Sequence, residues 1–349
     1  MSYHPSSELD SLIEALLGSE KEKFFESTAE QLPHTFRFND LKAGSAHLRS
    51  FLEEQQFEFE QFPGFEDVFR MIRQPFPIGK SLSHFLGHIY VQDIASMLPP
   101  KVLSPQPDEL VLDMSAAPGS KTTQMAVLMK NRGMILANDI VTKRLRALLN
   151  NLQRMGIVNT AVIKTYGESI GNQYFEVFDK VLLDPACSGL GTLHKSPEVL
   201  SWWTPNHCIR LAASQKSLVH SAVKALKPGG ILLYSTCTLT PEENEEVVDD
   251  ALKRLPVQLV PIELPELITH PGLRRFKDRV YDDSIENCRR IYPFENQTEG
   301  FFLAKIQKQD SMEPPRRKPS KPFIPGFITH TTSPVKKYLD FFSFQFDIP

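Results

Sequence analysis

Two of the four cysteines stand where a thiol can do chemistry. Cys187 closes the stretch Asp184-Pro185-Ala186-Cys187, directly behind the apolar run Val181–Leu183, and Cys237 closes Ser235-Thr236-Cys237 behind Ile231–Tyr234. Short apolar runs of this kind read as buried strands of a parallel sheet. Asp184 and both thiols then sit at strand carboxyl ends, on one edge of the sheet. A thiol there becomes a nucleophile if its pKa falls from about 8.5 toward neutrality, whereas plain packing is the ordinary use of a free cysteine. Cys187, Cys208, Cys237 and Cys288 lie far apart with no C-x-x-C pair. That spacing speaks against zinc and against a disulfide framework, and fits a reducing compartment.

A third stretch, Leu110 to Gln124, sets a strand, a turn of small residues and a helix start in series. Ala116, Ala117 and Gly119 allow close backbone approach to a ligand, and the helix start offers free N–H groups. A phosphate-binding G-x-x-x-x-G-K-[ST] loop is excluded because Ser120 separates Gly119 from Lys121, and a single glycine excludes G-x-G-x-x-G. What remains is a turn for a nucleoside-bearing ligand. Asp139, about 20 residues on and ending the next strand, stands where an acid accepts ribose hydroxyls in such folds. Two thiols and a carboxyl beside a nucleoside cofactor point to methylation of an unactivated ring carbon. Carbon 5 of cytosine is a poor nucleophile, but thiolate attack at carbon 6 makes an enamine whose carbon 5 accepts a methyl group. A carboxyl at ring nitrogen 3 stabilises the charge that develops there.

Periodicity places the elements that position these residues. Strands are expected at Leu110–Met114, Met134–Ala137, Thr160–Lys164, Lys180–Asp184 and Ile231–Ser235, and helices over 120–131, 141–155, 207–227 and 241–254. Their alternation predicts an α/β doubly wound parallel sheet. Lys227-Pro228-Gly229-Gly230 reads as a helix stop and turn, and 257–264 with 300–307 as a pair closing the sheet edge. Residues 1–105 read as a smaller N-terminal α+β domain with a capped helix at Ser7–Leu17, 106–307 as the main domain, and 308–349 as a proline-rich basic linker and C-terminal extension. The 349 residues carry a formal net charge of −3, with 41% hydrophobic and 23% charged residues. These values suit a soluble globular protein, and nucleic-acid binding would need local basic patches. With neither a secretory signal nor a run of about 18 apolar residues, the expectation is a cytoplasmic monomer, with no membrane and no metal.

Five motifs in order resemble the RsmB/Nop (Sun-type) family of S-adenosylmethionine-dependent RNA (cytosine-5) methyltransferases. They are the R-x-N-x-L-K element at 37–42, Gly87–Leu103, Asp113–Gln124, Leu182–Thr192 and Leu232–Val248, with Arg290–Ile306 resembling the C-terminal strand pair. The layout is most similar to the bacterial RsmF branch. The resemblance implies a Rossmann-like class I fold and an RNA partner, ribosomal RNA first and transfer RNA as the alternative. It also implies that Ser115, Ala116, Ala117, Pro118, Gly119, Ser120 and Lys121, with Asp139 and Arg144, hold S-adenosylmethionine. Cys237 would be the nucleophile, Asp184 the group at nitrogen 3, Cys187 the residue that assists release, and Lys121 a contact to the base or to the cofactor carboxylate. The sequence departs from the family at three places. Proline precedes alanine in Asp184-Pro185-Ala186-Cys187, the third strand ends without the usual aspartate so that Glu168 would stand in, and the basic pair after the fourth motif is His194-Lys195.

Three basic clusters are candidate phosphate contacts: Arg144, Arg146 and Arg154; 273–279 with Arg289 and Arg290; and Arg316, Arg317, Lys318 and Lys321. Trp202 and Trp203 are candidate base-stacking platforms. Two rival readings are a DNA cytosine-5 methyltransferase, in which Cys187 would be the nucleophile, and a catalytically silent RNA-binding protein on the same fold.

Overall fold

The computed structural model describes Pro5–Pro315 together with Lys336, Lys337 and Asp340; the basic run Arg316–Lys321 and most of the C-terminal aromatic segment lie outside the described residues. The first helix is Ser7–Leu17, as its spacing predicts, with the Ser6 hydroxyl accepting from the Leu9 amide at 3.2 Å. A second helix, Lys21–Ala29, comes after it. Leu9, Leu12, Ile13 and Phe24 bury themselves in the same core as Leu112 and Val181 of the parallel sheet.

Next comes an antiparallel sheet of β1 (Thr35–Phe38), β2 (Glu58–Gln61), β3 (Val68–Arg73) and β4 (Ile89–Val91), in the order β2-β3-β1-β4. Phe36, Phe38 and Phe69 pack on one another, with Phe38 and Phe69 centroids 4.2 Å apart, under Leu48 and Leu52 of the helix Ser45–Glu54. The buried Arg37 ties this sheet to the helix Ser120–Leu128. Its Nη2 donates to the Ser120 carbonyl at 3.0 Å and to Thr123 Oγ1 at 2.8 Å, and its Nε donates to Gln92 at 3.1 Å.

The main sheet begins with β5 (Leu110–Asp113), β6 (Met134–Asn138), β7 (Thr160–Ile163), β8 (Phe178–Leu183) and β9 (Leu226–Thr236). All five run parallel, side by side as β9-β8-β5-β6-β7. The chain therefore reverses its winding between β5 and β8, the place where such sheets open a crevice for ligands. The remaining strands are β10 (Val257–Val260), β11 (His270–Pro271), β12 (Arg275–Phe276), β13 (Arg279–Val280), β14 (Arg289–Ile291) and β15 (Phe301–Lys308). This is a Rossmann-like doubly wound sheet.

Two details differ from the periodicity. Residues 300–307 do not close an edge: β15 lies inside the sheet, antiparallel to β9 on one side and to β10 and β14 on the other. Its burial is nearly continuous, as an interior strand requires. Lys227–Gly230 is a bulge within β9 rather than a turn before it, because Leu226 already pairs with Phe178 before the register shifts to Lys180 and Ile231. Gly229, at φ +82°, supplies the left-handed bend. Among the described residues no helix is long and apolar enough to cross a membrane.

One buried ion pair ties β14 to the helix that follows β9. Arg290 in β14 and Glu245 at the start of the helix Glu245–Arg254 are both fully buried, with Arg290 Nε donating at 2.6 Å and its Nη1 donating to the Leu239 carbonyl at 3.0 Å. Removing one partner strands the other charge in the core. Arg290→Met is expected to lower unfolding free energy by about 3–5 kcal/mol, and the double variant with Glu245→Leu to recover most of the loss. Denaturant titration of the three proteins checks both.

Candidate active site

The cofactor turn lies between β5 and the helix Ser120–Leu128. The Thr122 hydroxyl donates to Asp113 at 2.7 Å, and burial pushes the Asp113 carboxyl up to about 6. Gly119 has φ +106°, and a Cβ there would stand 2.8 Å from the Leu148 side chain, so this position admits no larger residue without strain. Arg144 Nη2 donates to the Ala117 carbonyl at 2.5 Å. Asp139 is almost fully buried, and its Oδ1 accepts from the Val141 amide at 2.9 Å. Arg144 Nη1 approaches Asp139 Oδ2 to 3.3 Å without hydrogen-bond geometry, so that buried oxygen has no hydrogen-bond partner. The nearby guanidinium offsets the cost of burying this carboxylate oxygen.

Beside this turn opens a cavity of about 440 Å³. Ser115–Pro118, Ser120, Lys121 and Arg144 line it, and so do Asp184 and Cys237. The end of β8 thus faces the end of β5 across the reversal. Lys121 Nζ reaches Asp184 Oδ2 at 2.6 Å and Ser96 Oγ at 3.2 Å, while Ser235 Oγ donates to Asp184 Oδ1 at 2.9 Å. Burial pulls the Lys121 ammonium toward neutrality, but Asp184 outweighs it and holds the group above its ordinary range. Both oxygens of Asp184 are therefore held in place.

The two half-buried thiols meet: Cys187 Sγ lies 3.3 Å from Cys237 Sγ. Their hydrogen bond, then burial, pushes the Cys187 thiol well above its ordinary value, so Cys187 keeps its proton at neutral pH. Cys237 is steered from behind by glycines. The Gly191 amide donates to the Cys237 carbonyl at 2.9 Å and the Gly300 amide donates to the Gly191 carbonyl at 2.8 Å. A Cβ on Gly191 would come within 2.0 Å of the Gly300 carbonyl oxygen.

Two further carboxylates shape the site. Glu243 is expected in the first turn of a helix over 241–254. Instead the helix starts at Glu245, and Glu243 is buried in the turn before it. It accepts from the Ser188 amide at 2.9 Å, Gln215 at 3.0 Å and Thr240 Oγ1 at 2.8 Å, joining the loop of Cys187 to that of Cys237. Glu299, just before β15, also lines the cavity. Burial and Asp93 push its carboxyl up to about 7, with Lys195 3.7 Å away. The sequence signal for Glu243 is its place shortly after the Ser235-Thr236-Cys237 motif, and nothing local marks Glu299.

Several expected residues fall elsewhere. Glu168 is exposed and lines a different pocket, with Lys216, His220 and Asp250, so it is not brought to the cavity beside the cofactor turn. Arg154 is not offered to phosphates: its Nη1 donates to the carbonyls of His84 at 2.7 Å and Ile89 at 3.1 Å, and its guanidinium lies over the Tyr90 ring. In the second basic cluster Arg274 pairs with Asp283 and Glu286, Arg279 with Glu246, and Arg290 is buried on Glu245, so these three cations are already neutralised. Trp203 is core, whereas Trp202 is 42% exposed.

The sequence matches the family of 16S rRNA methyltransferases RsmB/F over residues 100–307, and the N-terminal domain of 16S rRNA methyltransferase RsmF over residues 8–94. The chain belongs to the RsmB/F methyltransferase family. A tRNA (cytosine(49)-C(5))-methyltransferase from Pyrococcus abyssi is 39% identical over 83% of the chain and 92% of its own length. The ribosomal RNA small subunit methyltransferase F of Shewanella amazonensis is 37% identical over 87% of the chain and 68% of its own length. Among solved structures, a methyltransferase homolog from Pyrococcus horikoshii superposes with a TM-score of 0.77 at 38% identity, covering 85% of this chain and 93% of that one.

The raised Glu299 carboxyl makes a stability prediction for this family member. Its folded pKa exceeds its unfolded value, so its favourable contribution is full below about pH 4.5 and is lost as pH rises through about 7. Glu299→Gln is therefore expected to match the wild type near pH 4.5 and to be the more stable protein at pH 8, by up to about 3 kcal/mol. Urea midpoints across that range test it.

Proposed function

We propose that this chain is an S-adenosylmethionine-dependent RNA (cytosine-5) methyltransferase acting on ribosomal RNA. The observation that carries the reading is the pair of sulfurs 3.3 Å apart, in and beside the cavity that also holds the Lys121–Asp184 ion pair and the cofactor turn. S-adenosylmethionine supplies an electrophilic methyl group when bound. Ser115–Lys121 would cradle it, with Asp139 accepting from its ribose and Arg144 fixing the turn.

The chain's own residues then divide the work. Cys237 attacks carbon 6 of the cytosine, and its sulfur becomes bonded there. Asp184, held by Lys121 and Ser235, faces ring nitrogen 3, and the proton that leaves the Cys237 thiol passes through this Asp184–Lys121 pair to nitrogen 3, neutralising the negative charge that the attack pushes there. After methylation the proton on carbon 5 leaves, and the carbon–sulfur bond to Cys237 breaks. Cys187, 3.3 Å from the Cys237 sulfur, is suited to give its own proton to that departing sulfur and to take the carbon 5 proton in exchange. The largest influence keeping Cys187 protonated is Cys237, and that influence falls away once the Cys237 sulfur is bonded to carbon. Cys187 thus becomes easier to ionise only when an adduct exists.

Ribosomal RNA is favoured over transfer RNA by the match of residues 8–94 to the RsmF N-terminal domain. Transfer RNA stays a specific second reading because the archaeal relative acts on tRNA. The division at about residue 105 belongs to the same proposal, with the N-terminal region engaging RNA and the enzyme working as a cytoplasmic monomer. A silent RNA-binding protein has no need of two apposed thiols and a clamped carboxylate. A DNA enzyme using Cys187 as nucleophile is disfavoured, since the Cys237 sulfur is the one that lines the cavity.

Cys237→Ala is expected to abolish methyl transfer from radiolabelled cofactor to RNA. Cys187→Ala is expected to accumulate a protein–RNA adduct that survives denaturation and is seen as a shifted band. Adduct formation that depends on Cys187 instead, or a preference for DNA, would reverse the assignment. Sequencing of 5-methylcytosine in ribosomal and transfer RNA after gene deletion identifies the target.

A further inference from the structure

A second cavity, of about 400 Å³, adjoins the one that holds Cys237 and Asp184. The two share Val91, Gln92, Asp93, Lys195 and Glu299, so one wall serves both. Leu32 and Pro33, from the segment leading into β1, line the second together with His194. Each volume lies within the about 300–1,000 Å³ that ligand sites occupy. The proposed reaction places cofactor and target cytosine in the first cavity and assigns no step to His194-Lys195.

We propose that this second cavity is the subsite for the nucleotide directly flanking the target cytosine, with its base against Leu32, Pro33 and His194 and its phosphate on Lys195. The proposal rests on the RNA methyltransferase reading and extends it to substrate selection. A cytosine turned into the first cavity drags its neighbour along, because one phosphodiester joins them, and the shared wall is where that link must pass. The chemistry around the wall suits a nucleotide. Half-buried Leu32 and Pro33 offer an apolar surface to a base face. His194 is half-buried, and burial lowers its pKa, so at neutral pH it is an uncharged ring with one donor and one acceptor nitrogen, able to stack or to read a base edge. The Lys195 side chain is 73% exposed and only loosely paired with Glu299, at 3.7 Å, so its ammonium can turn to a phosphate. Asp93 and Glu299 offer acceptors to a 2′-hydroxyl or an exocyclic amino group.

The test uses a synthetic RNA segment centred on the cytosine identified in ribosomal RNA, made intact, with an abasic residue at either neighbouring position, and with a methylphosphonate at either adjoining linkage. Wild-type kcat/KM is expected to fall about tenfold for an abasic residue on one side and to change little for the other. His194→Ala is expected to lose a similar factor on intact RNA and to be indifferent to that abasic position. Lys195→Ala, a surface change that leaves folding intact, should likewise be indifferent to the methylphosphonate that slows the wild type. Cofactor affinity and unfolding midpoints should match the wild type in both variants. Multiplicative losses for variant and RNA change, or no effect of either abasic position, would overturn the subsite. Failure of the wild type to methylate the intact segment would overturn the methyltransferase reading, and this proposal with it.

Discussion

The ion pair between Lys121 and Asp184 spans the one place where the sheet changes its direction of winding, and the site depends on that joint. Lys121 opens the helix after β5 and Asp184 ends β8; the two strands are neighbours in the sheet although 63 residues separate the side chains in sequence. A parallel pair leaves its carboxyl ends on one edge, and the helices that would cover that edge depart to opposite faces at the reversal. Cofactor turn and carboxylate therefore meet over an open crevice. The contact at 2.6 Å satisfies two charges that would otherwise be half-buried and unpaired.

Everything else around the crevice serves to hold a few atoms within reach of that joint. β9 lies beside β8 and delivers Cys237 to the same edge, while the Gly191–Gly300 backbone contact sets how far the cysteine projects. Glu243 binds the two cysteine loops to each other through an amide and a hydroxyl, so their sulfurs approach as a unit. From the other side, Arg37 links the antiparallel sheet to the first turn of the helix bearing Lys121. The region that forms a wall of both cavities is thus mechanically joined to the helix turn that carries Lys121.

The electrostatics are ordered to match. Opposite charge keeps Lys121 an ammonium, and the facing thiol keeps Cys187 protonated. Burial raises Asp113 and Glu299 in the same neighbourhood. Acidic groups crowded into a low-dielectric crevice can be tolerated because some of them hold protons, which limits the net charge that must be desolvated.

The sequence alone determined the strand–helix alternation, the small-residue turn at Ser115–Lys121 and the two thiols at strand ends, since each rests on local periodicity or on residue types at short spacing. The excluded phosphate loops were legible for the same reason. The helix at Ser7–Leu17 was legible from its apolar spacing and serine cap. Only the tertiary structure decided which residues share a cavity. Glu168 stands, by its position after the third strand, where a cofactor contact is expected, yet the chain turns it toward Lys216 and Asp250. Arg154 and Arg290 read as free for phosphates, but their partners lie on distant segments that local patterns do not reveal. Glu299 carries no local signal, because its raised proton affinity comes from burial and from Asp93, more than 200 residues away in sequence. Periodicity reports which face of an element is buried; which charge meets which depends on strand order, and that is set by packing across the whole sheet.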